Sequence, residues 1–195
     1  MYTSVSSNTI TDEALVKAVL QNDKDAFRVL IRRYEKLVMQ IVFRMIKRPE
    51  DQQDICQEVF LKVYDKIGTF RFGSKLSTWI GTIAFNTCIN FLRTNRLVLL
   101  NEQNDEEEYN DRQPFNTAED PRQHPDELLL RKEQKQLLWQ YVEELPAIQK
   151  TIISLFHQQE HTIEEIAAML TMPAGTIKSY LHRARQTLKN KLLNS

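Results

Sequence analysis

The sequence predicts an all-α protein of two small helical domains, an N-terminal helical bundle and a C-terminal helix–turn–helix domain, joined by an acidic, flexible linker. Three observations predict it. Apolar residues recur at three- and four-residue spacing along most of the chain, and alternating Val/Ile-rich runs are absent. Only 4 glycines punctuate 195 residues, too few for the turns of a β-fold. Charge falls in blocks: residues 11–96 carry 15 Lys/Arg and 10 Asp/Glu, residues 97–127 carry 2 and 10, and residues 128–195 carry 9 and 6. A net charge of zero thus conceals two mildly basic modules around an acidic connector.

Residues 1–10 are polar and read as a frayed end. A short helix follows from Thr11 or Asp12 to about Leu20, and Asn22-Asp23 makes a turn. The second helix is long, with Phe27, Leu30, Ile31, Tyr34, Val38, Ile41 and Met45 at helical spacing, and Pro49 ends that region. A third helix is expected from about Asp51 to Ile67, its apolar stripe formed by Ile55, Val59, Val63 and Ile67. Gly68 stops it ahead of the loop TFRFGSKLS. A fourth runs from about Thr78 to Arg93.

The connector's central stretch, roughly Val98 to His124, has NDEEEYND and two prolines and is too polar to bury a core of its own. Pro125-Asp126-Glu127 opens a helix to about Glu144, Leu145-Pro146 breaks it, and a further helix spans Ala147 to about His157.

The next stretch is the most constraining. Thr162 and Glu165 form a capping-box pattern, followed by Ile163, Ile166, Ala167 and Leu170. Thr171-Met172-Pro173 breaks the run, and Pro173 suits the start of a new helix. That helix buries Ile177, Leu181, Ala184 and Leu188 and carries Thr176, Lys178, Ser179, His182, Arg183 and Arg185 on its other faces. Two crossing helices, the second bearing donors near its N-terminus, are what major-groove reading requires. The plainer reading is an αα-hairpin with a solvated basic face.

Two further constellations carry chemistry. On the fourth helix, Trp79, Thr82, Asn86, Asn90 and Arg93 share a face, beside a loop with Phe70, Arg71, Phe72 and Lys75. Aromatic platforms with cations suit the stacking and neutralisation of unpaired bases; the alternative is a core tryptophan beside solvated asparagines. On the third helix, Asp54, Gln57 and Glu58 form a polar face, either merely solvated or a protein-docking surface.

Several function classes find no support. His157-Gln158-Gln159-Glu160-His161 matches the HxxEH pattern of a zinc peptidase, but Thr162 starts a fresh helix and leaves His161 in the turn before it. No Gly-rich phosphate loop or Ser/His/Asp pattern occurs, so the chain reads as non-enzymatic and needs no cofactor. Cys56 and Cys88 lie far apart within apolar helical patterns and read as buried free thiols. No secretory signal or long apolar run is present, which points to the cytoplasm.

Three segments together resemble sigma-70 family RNA polymerase sigma factors, specifically the compact extracytoplasmic-function (ECF) group. DICQEVFLKVYDKIGTF is similar to that family's core-polymerase-binding helix, STWIGTIAFNTCINFLR to its promoter-melting and −10-reading helix, and the stretch from Glu144 to Leu188 to its −35-binding domain. The resemblance implies an initiation factor with domains at 11–96, for polymerase binding and −10 melting, and 128–195, for −35 recognition. The linker at 97–127 would thread the polymerase's cationic channel.

The resemblance also implies roles. Asp54, Gln57, Glu58 and Leu61 would bind the polymerase clamp helices. Phe70, Arg71, Phe72, Ser74 and Lys75 would capture a flipped −10 base. Trp79 and Asn86 would support strand opening and base reading, with Arg93 and Arg96 on the backbone. Lys178, Ser179, His182 and Arg183 would face the −35 major groove, with Thr176 and Arg185 on phosphates. Partners would be core RNA polymerase, promoter DNA and, with no further C-terminal domain expected, a separate anti-sigma factor. Thr171, Pro173 and Tyr180 depart from residues common in the family, which bears on sequence preference rather than docking mode. A stand-alone helix–turn–helix regulator with an N-terminal dimerisation or sensor module is the alternative.

Overall fold

The computed structural model describes residues 10–100 and 137–193, with side chains to residue 95 in the first stretch. Most of the linker therefore lies outside the described residues, as does the expected helix start at Pro125. Among the described residues every regular element is helical.

Helix α1 spans Asp12–Leu20, where the Thr11 hydroxyl accepts the Ala14 N–H. Helix α2 spans Lys24–Met45 and is capped by the Asp23 carboxylate, which accepts from the Asp25 and Ala26 N–H groups. Such caps satisfy donors that a helix start would otherwise leave open. Arg33 ties α1 to α2 by bonding Asp12 and the Ile10 carbonyl, each at 2.8 Å.

Helix α3 spans Pro49–Lys66 and ends in a 3-10 turn, Ile67–Thr69. Here the sequence reading needs correction, because Pro49 opens α3 rather than closing the preceding region. Proline lacks only an N–H that the first helical turn would leave unbonded anyway. Helix α4, Leu76–Leu100, is longer at both ends than expected. Its first turn begins inside the SKLS stretch, where the Lys75 carbonyl accepts the Trp79 N–H at 3.2 Å.

The C-terminal part comprises α5 (137–143), α6 (Ala147–His157), α7 (Ile163–Leu170) and α8 (Ala174–Leu193). The capping box forms in full: the Glu165 N–H donates to Thr162 Oγ1 at 3.2 Å, and the Thr162 N–H donates to Glu165 Oε2 at 3.0 Å. Thr171 then takes a left-handed conformation, φ 56°, to turn the chain into α8.

Helix α2 is central and packs against α1, α3, α4 and α6. The two halves, whose relative packing the sequence leaves open, meet. Helix α4 packs on α7 and α2 on α6, so apolar burial runs continuously from Leu15 through Ile80 to Leu188. Helix α6 is covered on both flanks, by α2 and α8. This explains why Lys150, Thr151 and Ser154 are buried along with Ile152, Ile153 and Leu155.

Candidate nucleic-acid interface

The loop between the 3-10 turn and α4 is built as an aromatic stack. Phe70 is buried, with its ring centroid 4.8 Å from that of Phe72 and 5.4 Å from that of Trp79. Phe72 is 48% exposed and sits at φ 57°. A left-handed backbone costs a non-glycine residue about 1–2 kcal/mol, and strain of this kind concentrates at functional sites. Phe70 thus supports the two rings that solvent can reach. It is not itself an open platform, as the sequence reading had placed it.

Around this stack the cations are engaged. Arg71 Nη1 donates to the Gly68 carbonyl at 3.2 Å, and Ser74 Oγ to the Lys75 carbonyl at 3.4 Å. Lys75 Nζ lies 2.6 Å from Glu165 Oε1 on α7. That ammonium, with the Thr162 N–H and the His161 ring, lowers the Glu165 carboxyl to about 2 against the penalty of its burial. Further along α4, Asn86, Asn90 and Arg93 are exposed on the face expected of them. Thr82 at its edge instead donates to the Thr78 carbonyl at 3.0 Å and reaches the Ala168 carbonyl at 3.3 Å. The Arg96 side chain lies outside those described.

Helix α8 buries Ile177, Leu181, Ala184 and Leu188, the stripe its spacing predicts. Lys178 and Ser179 are exposed, and Ser179 Oγ donates to the Gly175 carbonyl at 3.0 Å. Thr176 and His182 are half-buried, and the Arg183 guanidinium lies 5.9 Å over the Tyr180 ring. Arg185 is drawn elsewhere. It folds back 5.6 Å over Phe156, with Nη2 3.4 Å from His157 Nε2, so the structure does not group it with Lys178 and Ser179.

His157 ends α6 and its imidazole pKa is lowered by burial and by Arg185. His161 precedes the α7 cap and meets Glu165 at 3.3 Å. The HxxEH residues therefore do not share one helix. Among the described residues no group of three or more His, Cys, Asp or Glu could hold a metal ion. None of the described helices is long and apolar enough to cross a membrane.

On α3, Asp54, Gln57, Glu58 and Leu61 are all exposed, Leu61 at 69%. Glu58 pairs with Lys62 at 2.5 Å. Gln57 and Leu61 line an apolar groove of about 440 Å³ between α2 and α3, completed by Phe27, Ile31, Met39, Cys56 and Phe60. The sequence reading missed the α2 wall. Phe27 and Ile31 carry core-like spacing, and only Met39, one step off the stripe, signalled an outward apolar face. A second apolar groove, of about 590 Å³, lies among α5, α6 and α8, with Trp139, Val142 and Leu192 in its walls and Arg185 and Lys189 beside them. Both thiols are held protonated by burial, Cys56 pushed up to about 11 and Cys88 to about 12.

Residues 30–98 match the sigma-70 region 2 family, and residues 135–188 match sigma-70 region 4. The chain is similar to the ECF RNA polymerase sigma-E factor of Haemophilus influenzae, at 33% identity over 94% of this chain and 96% of that one. Against the ECF RNA polymerase sigma-E factor of Escherichia coli K12 the identity is 32%, over 95% and 96%. In fold it is similar to the sigma factor RpoE of Bartonella quintana, solved in complex with the anti-sigma factor NepR. The TM-score is 0.62 and the identity 21%, over 85% of this chain and 96% of that one.

Proposed function

Because this chain belongs to the sigma-70 family of RNA polymerase sigma factors, in its ECF group, we propose how its residues divide the work of directing polymerase to promoters. It is a transcription initiation factor and not an enzyme; its partners are core RNA polymerase and promoter DNA. We place the boundaries at 11–96 for the polymerase-binding and −10 module, 97–127 for the linker and 128–195 for the −35 module. The site of action is the cytoplasm, where core polymerase and chromosome meet.

Docking on core polymerase falls to the α2–α3 groove. Leu61 stands out from it with apolar walls behind, and Asp54, Gln57 and Glu58 supply the polar rim that fixes orientation. Burying one such leucine contributes about 1.5–3 kcal/mol.

Capture of melted −10 bases falls to the loop and the start of α4. Extracting a base costs a few kcal/mol, and stacking on an aromatic side chain returns about 1–3 kcal/mol per base. Phe72 and Trp79 are the reachable rings, Phe70 holds them in place, and Asn86 reads an edge. Arg71, Lys75, Arg93 and Arg96 neutralise backbone, with Ser74 shaping the loop.

Duplex reading at −35 falls to α8. Lys178, Ser179, His182 and Arg183 face base edges, and Thr176 takes a phosphate near the helix N-terminus. Arg185 reaches phosphate only by leaving Phe156. Each contact set is weak alone, and one polymerase gains by holding both at high effective concentration. The acidic linker is suited to a cationic channel on the polymerase, and an anti-sigma factor is the class of partner that would hold the protein inactive.

The observation that carries this reading is the exposed, strained Phe72 stacked through Phe70 on Trp79, on the same chain as a helix–turn–helix. A stand-alone regulator has no use for that stack. Run-off transcription with core polymerase and a promoter library tests the function. Promoter-specific transcripts are expected, and their absence with active core would overturn it. The Asp54→Ala/Glu58→Ala double variant should weaken core binding and leave −35 duplex binding unchanged. Equal loss of both would contradict the roles assigned to α3.

A further inference from the structure

Helix α8 carries two arginines close together, Arg183 and Arg185, and an aromatic ring holds each in a different place. The buried stripe of Ile177, Leu181, Ala184 and Leu188 leaves Ser179 and His182 on the opposite side of the helix. At about 100° per residue, Arg183 falls on one flank of that side and Arg185 on the other. Arg185 is drawn off the helix toward α6, where its guanidinium lies over Phe156. Arg183 stays on α8, with its guanidinium 5.9 Å over the ring of Tyr180.

Tyr180 is well placed to hold it. Residues three apart are neighbours on a helix, and side chains lean toward the helix N-terminus, so Arg183 reaches back over position 180. The tyrosine is half-buried and packs against the hydrophobic core. One side of the ring is therefore anchored by the fold while the cation lies over the ring. Ser179, by contrast, is exposed and turns its hydroxyl back to the Gly175 carbonyl.

The chemistry suits base reading. An arginine side chain has many rotamers, and ordering it on contact with DNA costs affinity. A guanidinium that rests on an aromatic ring is ordered beforehand, yet stacking uses none of its in-plane N–H donors. Those donors are the set that pairs with guanine O6 and N7 in the major groove.

We propose that Tyr180 is the positioning residue for sequence reading by α8. Its ring holds the Arg183 guanidinium edge-on to a guanine, and so sets how sharply one −35 base pair is discriminated, while Tyr180 itself touches no base. The ring acts and the hydroxyl does not, and the effect passes through Arg183 alone. This rests on the reading of α8 as the duplex-reading helix.

The test uses holoenzyme reconstituted from the full-length chain and core polymerase, with a promoter set in which each −35 base pair is changed in turn. Competition binding gives the discrimination at every position. Discrimination is a ratio, so partial unfolding of a variant cancels from it. Arg183→Ala should abolish the preference at one position. Tyr180→Leu, which keeps apolar bulk against the core, should lower discrimination there about fivefold and leave other positions within about twofold. Tyr180→Phe should retain it, and Tyr180→Leu should add nothing to Arg183→Ala. The proposal is overturned if Tyr180→Leu changes nothing, weakens all sequences alike, or adds to Arg183→Ala at that position. It is also overturned if Tyr180→Phe loses as much as Tyr180→Leu, which would put the hydroxyl on the DNA. If Arg183→Ala itself flattens no single position, the base-reading assignment of Arg183 falls, and the proposal falls with it.

Discussion

The two regions proposed to read DNA each turn on a non-glycine residue in the left-handed conformation, Phe72 at φ 57° and Thr171 at φ 56°. In the loop before α4 the strain displays an aromatic ring. Phe72 is held out by Phe70 beneath it, and a glycine would relieve the backbone and remove the platform. In the turn before α8 the strain displays nothing. Thr171 only redirects the chain, its N–H bonding the Ala168 carbonyl at 3.3 Å. Unpaired bases need a surface made from a loop, whereas a duplex needs a straight helix that the turn merely aims.

The largest expected effect separates the two regions directly. Phe72→Gly should lose about 1–3 kcal/mol of open-complex stability, measured as the lifetime of heparin-resistant complexes, although it relieves backbone strain. Unchanged lifetimes would make the ring's exposure incidental. Next, Arg183→Ala should cost about 1–3 kcal/mol at one base pair and relax specificity there. A uniform loss across −35 sequences would move Arg183 to a phosphate role.

Thr171→Gly should do the opposite of Phe72→Gly, raising thermal stability by less than about 1 kcal/mol, because relief of strain is partly offset by glycine's greater freedom when unfolded. A lower melting temperature would mean that the threonine side chain contributes a contact of its own.

The smallest effect lies where the regions touch. The Glu165 carboxyl is lowered from 4.5 to about 2 chiefly by Lys75. A depressed carboxylate stabilises the folded state above its unfolded pKa, so this contribution is complete above about 4.5 and fades as pH falls toward 2. Lys75→Met should remove part of the acid sensitivity of melting between those values. Identical profiles would assign that sensitivity to other carboxylates.

Local chemistry was the legible part. The Thr162–Glu165 box, the α8 stripe and the ends of α1 and α6 follow from neighbours in sequence, which is where caps and periodicity act. Pro49 was misread because proline suits both the end of one segment and the first turn of the next. The α2 wall of the groove was hidden because Phe27 and Ile31 repeat as core residues do; periodicity cannot tell a filled core from an open groove. Phe70 was read as a platform and proves to be its foundation, since loop composition does not reveal which ring of an aromatic pair lies underneath. The contact between modules was least legible. It joins residues some ninety positions apart, and Gly81, a mid-helix glycine where a Cβ would meet Met169, was its one local trace.

The central claim is a division of labour: the loop and α4 act on melted bases, and α8 acts on duplex. Transcription from a promoter carrying a mismatched, pre-opened bubble at −10, compared with the same promoter fully paired, tests it most directly. Pre-opening should restore initiation by Trp79→Ala to near the wild-type rate and leave the Lys178→Ala/Arg183→Ala defect unrelieved. Equal rescue of both, or rescue of neither, would contradict the division.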